Sequence, residues 1–210
     1  MISSPDVTVV IPTIYERREL LGRALDSVLN QTLAPTEIII IDDHLREGAA
    51  TTRNKALAQV KTRWVAWLDD DDELLPTHIQ SLVKGIRRAR AQLAYSYAQF
   101  VGGRDPLATS VNGHLVSPFG VPFGVEQRRH LRELGNFIPV TWLGETELIR
   151  KVGGFPQPNS FPAVASGDCE DYGLLLRLLD AGAEFVHVPE VTWRYHFHGA
   201  NLGGRGGTAS

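Results

Sequence analysis

The chain has 210 residues, with 21 Lys and Arg against 24 Asp and Glu and a formal net charge of -3, which leaves no basic field to attract nucleic acid or an anionic membrane. One cysteine, Cys169, excludes an internal disulfide and fits a reducing, cytoplasmic compartment. No apolar run reaches the length of a membrane span, the first residues lack a signal-peptide pattern, and the length suits one large domain with a proper core.

Val7 to Ile11 is β-branched and predicts a first strand. Thr13 and Glu16 have capping-box spacing, which predicts a helix start there. Leu20, Leu21, Ala24, Leu25, Val28 and Leu29 recur at helical spacing and give that helix one apolar face. Glu37 to Ile41 predicts a second, buried strand ending in Asp42 and Asp43. Strand, helix, strand with buried strands is a right-handed parallel βαβ unit.

Gly48 to Val60 predicts a helix with Arg53 and Asn54 near its start, and Val65 to Leu68 a buried strand. That strand runs straight into Asp69, Asp70, Asp71, Asp72 and Glu73. Pro76 is expected to open the next helix, as proline can at a first helical position. Lys84, Arg87, Arg88 and Arg90 on that helix read as a solvated face. Leu93 to Val101 predicts a further strand.

Glycine and proline dominate 102–124, which predicts a hairpin or lid with a turn at Asn112 and Gly113. Helices are expected at Glu126 to Leu134, at Glu145 to Val152 and at Glu170 to Ala181, with a loop from Pro156 to Gly167. Glu184 to Val188 and Val191 to Phe197 predict two short strands, and the glycine-rich 203–210 a tail that buries nothing.

The carboxylates after the third strand lie where open α/β sheets place ligand crevices. Like charges packed so closely are unfavourable without a cation, and a hard ion such as Mn²⁺ or Mg²⁺ carrying phosphate oxygens would relieve them. The plain alternative is a solvated acidic loop ahead of a helix dipole, with Asp72 as a helix N-cap. An EF-hand does not fit, because its glycine and its later glutamate are missing. Glu170 and Asp171 form another acidic pair at a helix start, where the dipole favours the ionised form.

Taken in order, these pieces resemble the inverting nucleotide-sugar glycosyltransferases of family 2, which have the GT-A fold. The matching stretches are Val9 to Thr13, Ser27 to Thr32, Glu37 to Asp43, Ala50 to Asn54, Leu68 to Pro76, Gly153 to Phe155 and Glu170 to Leu178. The resemblance implies an α/β fold with a mostly parallel, Rossmann-like central sheet flanked by helices and a smaller C-terminal acceptor-side region. It covers 1–202 as one domain, with about 1–101 binding the nucleotide sugar and 102–202 carrying the acceptor and the base. The implied reaction is metal-dependent, non-processive transfer of one hexose from a nucleoside-diphosphate sugar, most simply a UDP-sugar, to a hydroxyl on a glycan, protein or small molecule.

Pro12, Thr13, Glu16 and Asp42 would then line the base pocket. Asp69, Asp70 and Asp71 match the Asp-x-Asp motif, whose first aspartate reaches the ribose and whose second ligates Mn²⁺ or Mg²⁺. Arg53 would approach the diphosphate or hold an aspartate. Asp171 matches the base, with Glu170 as its substitute. His198, followed by Gly199, Ala200 and Asn201, resembles the C-terminal histidine segment and would touch the metal or the diphosphate, with His196 beside it. The chain lacks the Gln-x-x-Arg-Trp of processive synthases. The expected partners are the donor and the acceptor, without nucleic acid or an integral membrane segment, and a homodimer is compatible.

Three other readings stay open at this point. A phosphorelay receiver would need its Asp-Asp pair after the first strand, and here a strand precedes it. A sugar-1-phosphate nucleotidyltransferase would need a glycine-rich loop where Pro12 to Glu16 stands. A binding-only protein of the glycosyltransferase fold shares every residue named above.

Overall fold

The computed structural model describes residues 6–103, 109–111, 114–116, 122–157 and 169–197. In chain order the first elements are β1 (Val7–Thr13), α1 (Arg18–Leu29), β2 (Glu37–Asp42), α2 (Ala49–Gln59), β3 (Trp64–Trp67), β4 (Glu73–Leu74) and α3 (His78–Ala89). Then come β5 (Leu93–Val101), β6 (Thr109–Val111), β7 (His114–Val116), α4 (Val125–Glu133), β8 (Trp142–Glu145), α5 (Thr146–Lys151), α6 (Glu170–Asp180) and β9 (Phe185–His196). None of the helices among the described residues is long and apolar enough to cross a membrane.

Seven strands form one sheet in the order β2-β1-β3-β8-β5-β9-β4, with β6 and β7 paired separately as an antiparallel hairpin. Strands β2, β1, β3, β5 and β9 run one way, while β8 and β4 run against their neighbours. The sheet is thus mostly parallel, as expected, with helices on both faces. The apolar runs follow from that layering, because strands covered on both sides need no polar alternation. In β1, Val10 packs into the aromatic layer with Trp67, Trp142, Phe155 and Tyr172. Its neighbours Val9 and Ile11 pack on the opposite face with Ala24, Val28, Ile79 and Leu82 of α1 and α3.

Several expectations are corrected. No helix starts at Thr13. Strand β1 runs through it, Ile14 is extended, Tyr15–Arg17 form a 3₁₀ turn and α1 begins at Arg18. The Thr13 hydroxyl is taken by Asp70 instead of capping a helix. Strand β2 is not buried. It is an edge strand, and Ile40 is 44% exposed. Leu29 of α1, expected on the apolar face, is likewise exposed. Pro76 does not open α3, which starts at His78 after Thr77. The Pro76 carbonyl accepts the N–H and hydroxyl of Thr32, while Glu73 and Leu74 pair with Arg194 and Trp193 of β9. Asp72 caps no helix, since its carboxylate accepts the His196 N–H at 3.0 Å.

The sequence pattern did not reveal β8, a short strand containing Gly144 that inserts antiparallel between β3 and β5. The two strands expected near the C-terminus are one, β9, with a register shift where Ser96 pairs with Val188 and Tyr97 with Val191. Lys84, Arg87, Arg88 and Arg90 are exposed, as a solvated face requires. The expected turn at Asn112 and Gly113, most of the 156–167 loop, His198 and the 203–210 tail lie outside the described residues.

Candidate active site

The parallel strands β2 and β3 deliver their terminal carboxylates to the same sheet edge, but they are not neighbours: β1 lies between them. Asp43 closes the turn after β2 by accepting the N–H groups of Glu47 and Gly48, each at 2.8 Å. Desolvation raises its pKa, but those donors together with Thr52 and Lys55 outweigh it, and the pKa lies below the ordinary value. Asp42 is exposed at the mouth of the edge, while Pro12 and Thr13 are half-buried beside it. Glu16 is exposed and pairs with Arg46 at 2.7 Å.

The run after β3 divides its work. Asp70 turns toward β1, accepting from the Thr13 hydroxyl at 2.8 Å and from Arg17 Nη1 at 3.0 Å. Asp69, Asp71 and Asp72 turn together, and one carboxylate oxygen from each lies within 4.8 Å of the others. Desolvation raises Asp69 and Asp70 above the ordinary carboxylate range, and desolvation together with the Asp69 charge pushes Asp72 up to about 9. Three hard oxygen donors that cannot all ionise comfortably fit a divalent cation such as Mg²⁺ or Mn²⁺. Of the expected metal residues, Asp71 belongs to this group, joined by Asp69 and Asp72.

Side chains from other elements hold the run in place. Arg17 Nη1 also reaches Asp71 Oδ2 at 3.3 Å, and Arg23 Nη2 donates to the Asp71 carbonyl at 2.7 Å. Glu73 gathers Arg23 at 3.1 Å, Arg194 at 2.9 Å and His196 Nε2 at 3.3 Å. His196 is therefore fixed against the acidic run by both its backbone and its ring. Desolvation and the nearby Arg23 lower its pKa despite Glu73.

Arg53 joins the two acidic regions. It is 6% exposed, donating through Nη2 to Asp69 at 2.7 Å and through Nη1 to Glu170. It is neither a surface residue nor a simple helix-start cation: burial opposes its charge, and Asp69 and Glu170 more than offset that, raising its pKa. Beside Glu170, Asp171 accepts the Tyr172 N–H at 2.7 Å and Asn136 Nδ2 at 3.3 Å. Asn136 Oδ1 itself accepts the Ile138 N–H at 2.9 Å. The helix start does not keep Asp171 at an ordinary value. Desolvation and the Glu170 charge push it up to about 7, against Arg53 and the Tyr172 N–H. A carboxylate there suits proton transfer near neutral pH, because it binds a proton far more readily than a solvated aspartate.

Sequence reasoning singled out Asp69, Asp71, Arg53, Glu170 and Asp171, and the fold brings these five together. It missed Arg17, Arg23 and Asn136, and it named Asp72 and Glu73 in the acidic run without the contacts they make. Arg17 lies in the 3₁₀ turn before α1 and Arg23 on α1 itself, whose apolar stripe draws the eye elsewhere, and Asn136 lies in an irregular stretch without periodicity.

The sequence model of glycosyl transferase family 2 matches residues 8–48 and 44–153. Among curated proteins, the Escherichia coli UDP-Glc:alpha-D-GlcNAc-diphosphoundecaprenol beta-1,3-glucosyltransferase WfaP is 24% identical over 216 residues, covering 92% of this chain and 78% of that protein. The succinoglycan biosynthesis protein ExoO of Rhizobium meliloti is 26% identical over 224 residues, covering 94% of this chain and 62% of its own. The crystal structure of Staphylococcus aureus TarS 1-349 in complex with UDP-GlcNAc superposes with a TM-score of 0.70 at 17% identity, covering 93% of this chain and 59% of that one. The chain thus spans about three-fifths of the length of ExoO and of that TarS structure.

Proposed function

Since the chain belongs to glycosyl transferase family 2, we propose that it moves one sugar from a nucleoside-diphosphate donor to an acceptor hydroxyl with inversion at the anomeric carbon. The observation that carries this reading is Arg53. It ties a convergent carboxylate cluster after β3 to the Glu170–Asp171 pair of α6, which supports a donor site and a proton acceptor lying side by side. A uridine donor is favoured because relatives are named for UDP-glucose and the TarS neighbour is described with UDP-GlcNAc and with UDP. The division of labour follows the chain: 1–101 supplies the cluster and its arginines, and 102–202 supplies Asn136 and Asp171.

Asp69, Asp71 and Asp72 would hold Mn²⁺ or Mg²⁺, which when bound neutralises charge on the diphosphate. Arg17 and Arg53 hold the Asp71 and Asp69 carboxylates in place. Asp171 takes the acceptor's hydroxyl proton as that oxygen forms its bond to the anomeric carbon. The bond from that carbon to the diphosphate oxygen breaks, and the nucleoside diphosphate leaves with the electron pair. One displacement gives one inversion. Asn136 orients the Asp171 carboxylate for this step.

The test is to incubate the protein with UDP-glucose and Mn²⁺ and a panel of sugar acceptors, and to read the anomer of any product by NMR. An α-linked donor should give a β-linked product. Retention would contradict the single displacement. Binding of UDP without any consumption of UDP-glucose would favour the binding-only alternative.

A further inference from the structure

Helix α2 grips the start and the end of the connection between α5 and α6 on consecutive residues. Arg53 holds Glu170, where α6 begins. Asn54 holds Phe155, just after α5. Its Nδ2 donates to the Phe155 carbonyl at 2.8 Å, and its Oδ1 accepts the Phe155 N–H at 2.9 Å, across 101 positions of sequence. One side-chain amide thereby satisfies the donor and the acceptor of one backbone residue, as a neighbouring strand would. One turn earlier, the Thr51 hydroxyl accepts Gln157 Nε2 at 3.2 Å.

The grip is close-fitting. Gly154 has φ +64, and a Cβ there would collide with Asn54 Oδ1. Arg177 of α6 donates to the Gly153 and Gly154 carbonyls at 3.3 and 3.2 Å, so this turn is held from both helices. Phe155 is 2% exposed, with its ring 4.8 Å from that of Trp67. The Arg53 guanidinium lies 5.7 Å from the centroid of the same ring.

We propose that Asn54 is a positioning residue for sugar transfer. Apolar packing alone keeps Phe155 inside, but it does not set the register of the ring against Arg53. The amide sets that register, and the ring backs the guanidinium as it spans Asp69 and Glu170. Arg53 must reach both carboxylates with a rigid planar fork, so a lateral shift breaks one of the two links. The separation between the donor cluster and Asp171 then depends on Asn54, although Asn54 touches neither. This inference rests on the transfer reading above.

The test compares Asn54→Ala, Gly154→Ala and the double variant with the wild type. UDP affinity is measured by calorimetry with Mn²⁺, and kcat from UDP-glucose consumption. Each single variant should keep UDP affinity within about threefold and lose about 10- to 100-fold in kcat, the scale of a small misplacement of reacting groups. The double variant should lose less than the two single losses combined, because the methyl added at Gly154 no longer meets Asn54 Oδ1 and only the backbone strain at φ +64 is added. Asn54→Asp, which still accepts the Phe155 N–H but sets a carboxylate oxygen against the Phe155 carbonyl, should lose as much as the alanine variant and covers the case in which that variant fails to fold. Hydrogen exchange reads the link without turnover. Asn54→Ala should speed exchange at Phe155 and at Gly173, whose N–H bonds to the Cys169 carbonyl in the first turn of α6. Unchanged exchange in α6, additive losses, or a parallel fall in UDP affinity and kcat would overturn the inference. A wild-type chain that neither binds UDP nor consumes UDP-glucose would overturn the transfer reading, and the exchange result would still decide the role of Asn54.

Discussion

After β3, Asp69, Asp71 and Asp72 bring three carboxylate oxygens within 4.8 Å of one another, whereas at the start of α6 Glu170 and Asp171 turn apart, one to Arg53 and the other to Asn136. Both regions are acidic, and Arg53 is common to them. In the first, side chains from α1 and backbone from β9 crowd the carboxylates into convergence, and Asp72 responds by moving up to about 9. In the second, one carboxylate is neutralised by Arg53 and the other is left with amide donors and a pKa pushed up to about 7. Under the proposed transfer, the converging carboxylates would hold the cation and the separated Asp171 would take the proton, so the same side-chain chemistry would serve two ends of one reaction because the surrounding charges differ.

The sharpest way to break this contrast is Asp171→Asn. It preserves shape and cannot accept a proton, so transfer should fall by about 10²–10⁴, the range of a lost acid–base group. Steady-state kinetics at saturating UDP-glucose measure this. A wild-type rate would move the base elsewhere, with Glu170 the first candidate.

A second effect is smaller and graded. In the free enzyme the proton on Asp171 should block the reaction, so kcat/KM should rise about tenfold per pH unit and level off above about 7. The slope should vanish in Asp171→Asn. Linkage gives stability the opposite trend. The folded pKa lies above the ordinary value of 3.8, so this group's contribution is full below that value and is lost as pH rises through about 7. The smallest change expected is Asn136→Ala. Losing a donor to the ionised carboxylate should carry the kcat/KM limb upward by less than about one pH unit, with little change on the plateau. A limb that stays put would remove Asn136 from the account.

Much of the N-terminal half was legible in the sequence because it is built from local pattern. Apolar strands ended abruptly in Asp42 and in Asp69 to Asp72, and parallel topology alone sends both ends to one edge. Pairings between distant parts of the chain were less legible. Strand β8 has four residues including a glycine, too short for a periodic signal, yet it separates β3 from β5. Thr13 and Glu16 carried a real capping-box spacing, and Asp70, 57 residues away, took the threonine hydroxyl instead. The pKa of Asp171 was misjudged for a similar reason. A helix dipole can be read from position, but desolvation by burial depends on packing that one-dimensional pattern does not encode. Arg53 could be read as either a phosphate contact or an aspartate partner, and only its burial between Asp69 and Glu170 decided which contacts it makes.

Calorimetric titration of UDP in the presence and absence of Mn²⁺ tests the division between the two acidic regions most directly. Asp71→Ala should abolish the metal-dependent part of UDP binding, because it removes one of three converging oxygens. Asp171→Asn should keep metal-dependent binding within a few-fold of wild type. Equal, metal-independent binding by the wild type and Asp71→Ala, or loss of binding in Asp171→Asn, would contradict the account.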